Sequence, residues 1–576
     1  MFFVPYPKEI EERDGVLEYR ALKAVCADKN IEKMYSAFSD SQGDAIIALT
    51  ENKSLKEEEY ILSVEEGGIF IEYSLPVGAY RAFTTLKLIL AQSEGNSLGY
   101  IKIHDYPSLK NRGYMLDISR GRIPNLDHIK KIVDIMADMK YNQLQLYMES
   151  FVYEYKNFPE YWKDTKPLTV EEIRELDAYC KDRFISLVPN QNSFGHMQVW
   201  TEKPELSHLA ITSKEGKPSP TLNPLKEETL EFIDKIYDGY FDAFSANMVN
   251  IGMDEPMELG INETKEECDR VGVGTVYTQY LSKVCKLIET KYNKSPMFWD
   301  DIVFIHPEQL ENLPKSATLM HWGYETRHRF DRNCSMIKKN GLKFYVCPGT
   351  SMWQSITGRT NNMLVNVTNA AAACDYYGGD GFLLTEWGDL GHPQMPAMTY
   401  FPLIFGGCFS WDAPEHVSVY FVCEQIKQYM DKLLFKTKGK KSLADIVFRM
   451  GNYYLLEEVP CENATNLIRM FKDTALLTDI NVAGEKRALK YMQELREEID
   501  EVEADSDAME DIIFSCDLVI FIAKLVCGLH QGLKEEKEEL KERYKELWLK
   551  TSHDIGQNVF LDLLGEAFSK HIKEDK

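Results

Sequence analysis

Residues 114 to 147 decide the fold. They run Tyr114-Met115-Leu116-Asp117, then a helix-period segment over 126–139, then Gln143-Leu144-Gln145-Leu146-Tyr147. A short apolar run, a segment with apolar residues three and four apart, and a second apolar run make one strand–helix–strand unit. The alternation continues outward. Further strand-like runs are Phe184-Ile185-Ser186-Leu187-Val188, Met248-Val249-Asn250-Ile251, Met297-Phe298-Trp299, Thr318-Leu319-Met320-His321, Phe344-Tyr345-Val346 and Gly381-Phe382-Leu383-Leu384. Between them the spacing predicts helices over 170–181, 227–244, 276–291 and 363–376. Eight strand–helix repeats over roughly 300 residues predict an α/β fold of the (β/α)8 TIM-barrel type, here assigned to residues 106–430. A doubly wound open sheet is the competing topology.

The flanks read differently. Over 1–105, Tyr60-Ile61-Leu62-Ser63-Val64 and Ile69-Phe70-Ile71-Glu72-Tyr73 flank Gly67-Gly68 as a β-hairpin, and 82–92 has helical spacing, so this is a small α+β domain. Residues 431–576 are helical throughout. In 534–550, Leu540, Tyr544 and Leu547 line one face of a Glu- and Lys-rich helix, expected to pack on the barrel. A homodimer contact is the alternative use of that helix, although it has too few heptads to argue a coiled coil.

Composition narrows the function. With 576 residues, 44% hydrophobic and 27% charged, the chain is an ordinary folded protein of two or three domains. A formal net charge of -25 disfavours nucleic acid and anionic membranes. No apolar run is long enough to span a bilayer, and the N-terminus does not read as a signal peptide. The twelve cysteines are scattered and form no Cys-x-x-Cys pair, which suits reduced thiols in a cytoplasm. No ligand-like spacing points to a metal, and no cofactor is expected.

Reactive groups of such barrels sit just past the C-terminal ends of the strands. Those positions hold Asp117 and Arg120, Glu149, then Asn190, Asn192 and His196, then Asp254-Glu255, Trp299-Asp300, His321-Trp322, Thr350 and Trp353, and finally Glu386, Trp387, Asp389 and His392. Carboxylates that move protons, set among indole rings that stack on pyranose faces, describe a sugar pocket. Asp254-Glu255 is the sharpest signal: adjacent carboxylates repel, so one should keep its proton to higher pH in a dry site. Pro256 should hold Glu255 in extended backbone and project it into the barrel mouth. The plainer reading is that the pair caps the next helix or faces solvent. Arg120 could instead be a rim ion pair, and each tryptophan, His321 and His392 could be core packing. Asp300 and Glu386 could be supporting groups.

These residues resemble glycoside hydrolase family 20, the β-N-acetylhexosaminidases, over roughly residues 55 to 415. Asn250-Ile251-Gly252-Met253-Asp254-Glu255 is similar to the family's His-x-Gly-Gly-Asp-Glu strand end, with Asn for His and Met for the second Gly. Met115-Leu116-Asp117-Ile118-Ser119-Arg120 resembles its Asp-x-x-Arg signature, Gly195-His196 its Pro-Gly-His region, and Trp387-Gly388-Asp389 its Trp-x-Glu. Trp299 and Trp322 match tryptophans of the acetamido pocket, and 59–90 resembles the α+β domain preceding these barrels. The chain departs from the family at Leu146-Tyr147-Met148-Glu149-Ser150, which replaces Trp-His-x-x-x-Asp-Asp. Asn192 replaces an acidic residue, and the family's tyrosine after strand seven has no clean match, Tyr345 lying within the strand and Trp353 beyond it. The departures resemble a divergent branch with cytosolic and bacterial members.

The resemblance implies an exo-acting hydrolase of terminal β-linked GlcNAc or GalNAc, working by substrate-assisted retention. Glu255 would be general acid/base, and Asp254 would orient the acetamide. Arg120 and Asp389 would grip hydroxyls, and Trp299, Trp322 and Trp387 would enclose the sugar. Trp353 is a further candidate binder, and His196 with Glu149 a supporting pair. Two alternatives stay open. One is a retaining glycosidase on non-acetamido sugars, with Glu386 as nucleophile. The other is a catalytically silent carbohydrate-binding protein.

Overall fold

The computed structural model describes residues 1–413 and 418–573. Its centre is a closed barrel of eight parallel strands. In chain order they are Asn111–Asp117, Gln143–Met148, Ser186–Gln191, Met248–Asn250, Ser295–Trp299, Thr318–Trp322, Lys343–Cys347 and Gly381–Glu386. The last closes on the first, pairing Gly381 with Asn111 through to Glu386 with Leu116.

Strand periodicity sorts the barrel side chains into two sets. Met115, Tyr147, Val188, Met297, Met320, Tyr345 and Leu383 form a cluster inside the barrel, separate from the larger core that includes Tyr114, Leu116, Leu144 and Leu187. The interior also holds a polar layer. Gln145 Oε1 accepts from Asn190 Nδ2 at 2.9 Å and Asn250 Nδ2 at 3.2 Å, which joins three strands through buried amides.

Two barrel helices begin at side-chain caps that the sequence carries. Asn125 accepts from the backbone of His128 and starts Leu126–Asp138, whose buried face is Ile129, Ile132, Val133 and Met136. Thr169 and Glu172 form a capping box on Val170–Lys181. Several boundaries differ from the periodicity reading. The third strand starts at Ser186 rather than residue 184, because Phe184 turns the chain with φ 55°. The helix expected over 227–244 stops at Tyr237, two residues before Gly239 at φ 81°, and a 3-10 turn, Phe241–Ala243, completes the span. The helix expected from 82 begins at Pro76, where proline's missing N–H costs nothing.

Before the barrel lies a six-stranded mixed sheet that includes the hairpin Tyr60–Glu65 and Gly68–Tyr73, covered by helix Pro76–Gln92. Buried charges dock it. Glu58 accepts from Arg112 at 2.6 Å and Arg81 at 2.8 Å, and Lys140 reaches Asp105 at 2.6 Å. Burial opposes ionisation of Glu58, but the two guanidiniums win and bring its carboxyl down to about 2.

After the barrel come helices that include Asp479–Asp500, Ala508–Val526, Leu533–Thr551 and Asn558–Lys573. The Glu- and Lys-rich helix Leu533–Thr551 buries Leu540, Tyr544, Leu547 and Trp548. Tyr544 donates to the carbonyls of Gly391 and His392, and Arg122 lies 4.4 Å from the Trp548 ring, so this face is spent on the barrel mouth. Among the described residues no helix is long and apolar enough to cross a membrane.

Candidate active site

The fourth barrel strand ends at Asn250 and the chain turns sharply, with Gly252 at φ 72°, Met253 at 80° and Glu255 at 46°. Glu255 is therefore left-handed, not extended as Pro256 alone would make it. Tertiary contacts override the local preference: Glu255 N donates to Asp301 Oδ2 at 3.0 Å, and the turn packs against Gly195. A Cβ on Gly195 would stand 2.1 Å from the Asp254 carbonyl oxygen, and one on Gly252 2.2 Å from Asn192 Oδ1. These two glycines let the third and fourth strand ends touch.

The turn splits the acid pair. Asp254 is buried, while the Glu255 side chain keeps 47% of its surface exposed at the mouth. His196 lies between them, its Nε2 3.2 Å from Asp254 Oδ2 and 3.2 Å from Glu255 Oε2. Asn192 Nδ2 donates to the other Asp254 oxygen at 2.9 Å. Burial pushes the Asp254 carboxyl up, but the His196 cation and the Asn192 amide outweigh it and hold it below its usual value. Asp254 is therefore not the member of the pair that repulsion keeps protonated. Burial would lower His196, yet Asp254 and Glu255 raise it to about 11.

A second charged group faces this one. Arg120 bonds Asp117 at 2.8 Å and Glu149 at 3.3 Å, lies 3.9 Å from Asp389, and rests 4.9 Å from the Trp387 ring. Burial opposes its charge, but Asp117 and Glu149 keep it protonated well above the ordinary value. Asp117 also accepts from Gly388 N at 3.0 Å, tying the first strand end to the eighth. Burial raises Asp389, against the pull of Arg120.

One hollow joins these groups. Arg120, His196, Asp254, Glu255, Trp299, Trp322, Trp353, Trp387 and Asp389 line it, so nine residues singled out from the sequence meet there. Glu149 stands behind the wall, bonded to Arg120 and to Tyr147 Oη at 2.6 Å, and 3.9 Å from His196 Nδ1. Asp300 and His321 pair at 3.1 Å in the core outside the wall. Glu386 is buried, accepts from Gln394 at 3.2 Å, and is raised by burial to about 7. His392 is buried beside the Gly388 turn, and burial lowers it to about 3.

Two lining residues escaped the sequence reading, Tyr324 and Asn463. Tyr324 stacks on Trp322 at 5.2 Å and accepts from Trp387 Nε1 at 2.8 Å. Its position, two residues beyond the sixth strand end, was the available signal. Asn463 comes from the helical region, and no spacing in the chain marks it.

Among the described residues no group of three or more His, Cys, Asp or Glu side chains is placed to hold a metal ion. What converges instead is a buried ionised acid, an exposed acid beside it, an arginine–carboxylate grip and four indoles. That defines a class: a barrel with an indole-walled hollow at its mouth and a half-exposed carboxylate beside a buried ionised one.

Comparison with known proteins narrows the class. Residues 110–381 match the catalytic domain of glycosyl hydrolase family 20, and residues 18–106 match domain 2 of the same family, together more than half the chain. The chain belongs to glycosyl hydrolase family 20. It is 27% identical to a beta-hexosaminidase of Vibrio furnissii, over 46% of this chain and 50% of that protein. It is 25% identical to the beta-hexosaminidase subunit beta of Entamoeba histolytica, over 51% of this chain and 55% of that one. The chain thus spans about half the length of these curated relatives. Among solved structures, a family 20 exo beta-N-acetylglucosaminidase from Vibrio harveyi superposes with a TM-score of 0.61 at 19% identity, covering 75% of this chain and 76% of that one. A chitobiase from Flavobacterium johnsoniae does so with a TM-score of 0.62 at 16% identity, covering 98% and 99%, which extends the likeness in fold to the helical region.

Proposed function

We propose that this protein is an exo-acting β-N-acetylhexosaminidase that releases terminal β-linked GlcNAc or GalNAc by a substrate-assisted, retaining mechanism. The observation that carries it is the split acid pair: Asp254 buried and held ionised by His196, Glu255 at the mouth, both 3.2 Å from the same nitrogen. The names of the relatives agree with it.

In this reading the 2-acetamido oxygen attacks the anomeric carbon as the glycosidic C–O bond breaks, and Glu255 gives its proton to the leaving oxygen. An oxazolinium forms, and Asp254 accepts from its N–H and stabilises the positive charge. Water then attacks from the side the aglycone left, Glu255 takes the water's proton, and the two inversions give retention. Substrate assistance exempts such enzymes from stereochemical prediction by carboxylate separation. Arg120 and Asp389 grip ring hydroxyls, and the indoles enclose the ring and acetamide. The twelve free thiols, ten of them buried, support a reducing, cytoplasmic setting.

A glycosidase with a protein nucleophile is disfavoured by Glu386, which is buried and outside the hollow. The test compares p-nitrophenyl glycosides of GlcNAc, GalNAc and glucose. Turnover is expected for the first two only. Glu255→Gln should lower turnover of an alkyl or disaccharide substrate roughly 10²–10⁴-fold, and Asp254→Asn should cost about 10²-fold or more on 2-acetamido substrates. Wild-type rates in both variants would sink the assignment.

A further inference from the structure

The wall of the hollow is not made by the barrel alone. Asn463 lies about 75 residues beyond the last barrel strand, in the loop that leads into helix Asn466–Lys472, yet it lines the hollow with the acid pair. Its place is over-determined. Its backbone N–H donates to Glu325 Oε1 at 2.7 Å, and Glu325 is clamped by Arg359 at 2.9 Å. Its side-chain Oδ1 accepts from Trp353 Nε1 at 2.6 Å, which fixes which way the amide points. With that oxygen committed, Nδ2 is left as the free end, and it makes no hydrogen bond to any described residue.

The neighbours define the ligand chemistry. Trp353 and Gln354 share one loop, and Gln354 Nε2 donates to Asp389 Oδ2 at 3.1 Å. Thr465 N in turn donates to the Gln354 carbonyl at 3.1 Å, and Tyr453 Oη to that of Ser355 at 3.0 Å. Residues 453–465 therefore hold the loop that holds Asp389, and Asn463 adds a donor to the same side of the hollow. Gln354, its amide turned to Asp389, does not line the hollow, so the neutral amide that the hollow is offered on this side is that of Asn463.

We infer that Asn463 is a specificity-determining residue, its Nδ2 donating to a hydroxyl of the bound sugar on the Asp389 side of the hollow. This rests on the proposed hexosaminidase reading and extends it: the helical region supplies a binding group to the barrel's site. The position is also the rim shared with a second cleft lined by Asp301, Arg327 and His328. A contact to the leaving group is thus the outcome that competes.

The test pairs protein and substrate changes. Asn463→Asp keeps an acceptor for Trp353 and removes the donor, and Trp353→Phe breaks the same bond while leaving Asn463 in place. Each is assayed on p-nitrophenyl β-GlcNAc and on its 4-deoxy and 6-deoxy analogues. For Asn463→Asp a roughly ten-fold fall in kcat/KM is expected on the parent sugar, shrinking toward unity on the analogue that lacks the partner hydroxyl. Trp353→Phe, which frees the Asn463 amide to turn, should lower all three and most on the substrates that keep the partner hydroxyl. Equal losses for Asn463→Asp on every analogue, or a loss that follows the aglycone instead, would overturn the assignment. Thermal unfolding of the variant separates misfolding: a midpoint far below wild type with equal losses counts against a binding role, and Asn463→Gln, which keeps the donor on a longer arm, should then restore nothing. A wild type inert on all 2-acetamido sugars would instead overturn the hexosaminidase reading, and this inference with it.

Discussion

His196 joins the two acids of the site through one ring nitrogen. Raised from 6.5 to about 11 by Asp254 and Glu255, it should remain an imidazolium across neutral pH. The sign follows from linkage: its contribution to stability is complete below about 6.5 and is lost as pH rises through 11. Side-chain NMR of His196 from pH 5 to 9 should show no titration, and an inflection near 6.5 would refute the ion pair. Glu386 behaves oppositely to an ordinary surface acid. Its folded-state value of about 7 lies above the 4.5 of the open chain, so stability is greatest below 4.5 and declines as pH rises through 7. Glu386→Gln should therefore raise the unfolding midpoint at pH 8 and change it little at pH 5. A variant no more stable than wild type at pH 8 would show that the buried carboxylate is paid for by contacts such as Gln394.

Between residues and the whole, the element that matters is the turn after the fourth strand. Three positive-φ positions within four residues, Gly252, Met253 and Glu255, aim one acid inward and the other outward. They are held by contact rather than by local preference, since only Gly252 among them favours that region. Gly195→Ala tests this. Its new methyl would meet a backbone carbonyl at 2.1 Å, an obstacle with no flexible end to move aside. The turn must shift, and kcat on a 2-acetamido substrate should fall about ten-fold or more, because misplacing a reacting group by an ångström is enough. Unchanged kinetics with an unchanged unfolding midpoint would mean that the contact between the two strand ends does not set the acids.

At the scale of the molecule, the sheet before the barrel is joined to it by buried charge. Glu58 sits between Arg81 and Arg112, and removing it strands two desolvated guanidiniums. Glu58→Gln should cost about 3–5 kcal/mol, read as a lowered unfolding midpoint at pH 7. Because the carboxyl's folded-state value is depressed to about 2, its stabilisation is present above 4.5 and fades as pH falls through 2. The gap between variant and wild type should accordingly narrow below pH 4.5. A gap independent of pH would assign the loss to packing instead.

The barrel was legible in the chain because its strands are buried on both faces and its helices on one, and such burial writes a periodic pattern. Nine hollow-lining residues were legible for a related reason: a barrel gathers whatever follows each strand, so order along the chain becomes position around one mouth. Other features had no such rule behind them. The left-handed backbone of Glu255 contradicts its own Pro256, the ionised state of Asp254 depends on a histidine some sixty positions away, and Asn463 arrives from a helical region that carries no strand-end code. Local pattern determines which segments become strands and helices. The conformation of a turn and the charge of a buried acid are settled by groups distant in sequence, and those meet only once the chain has closed on itself.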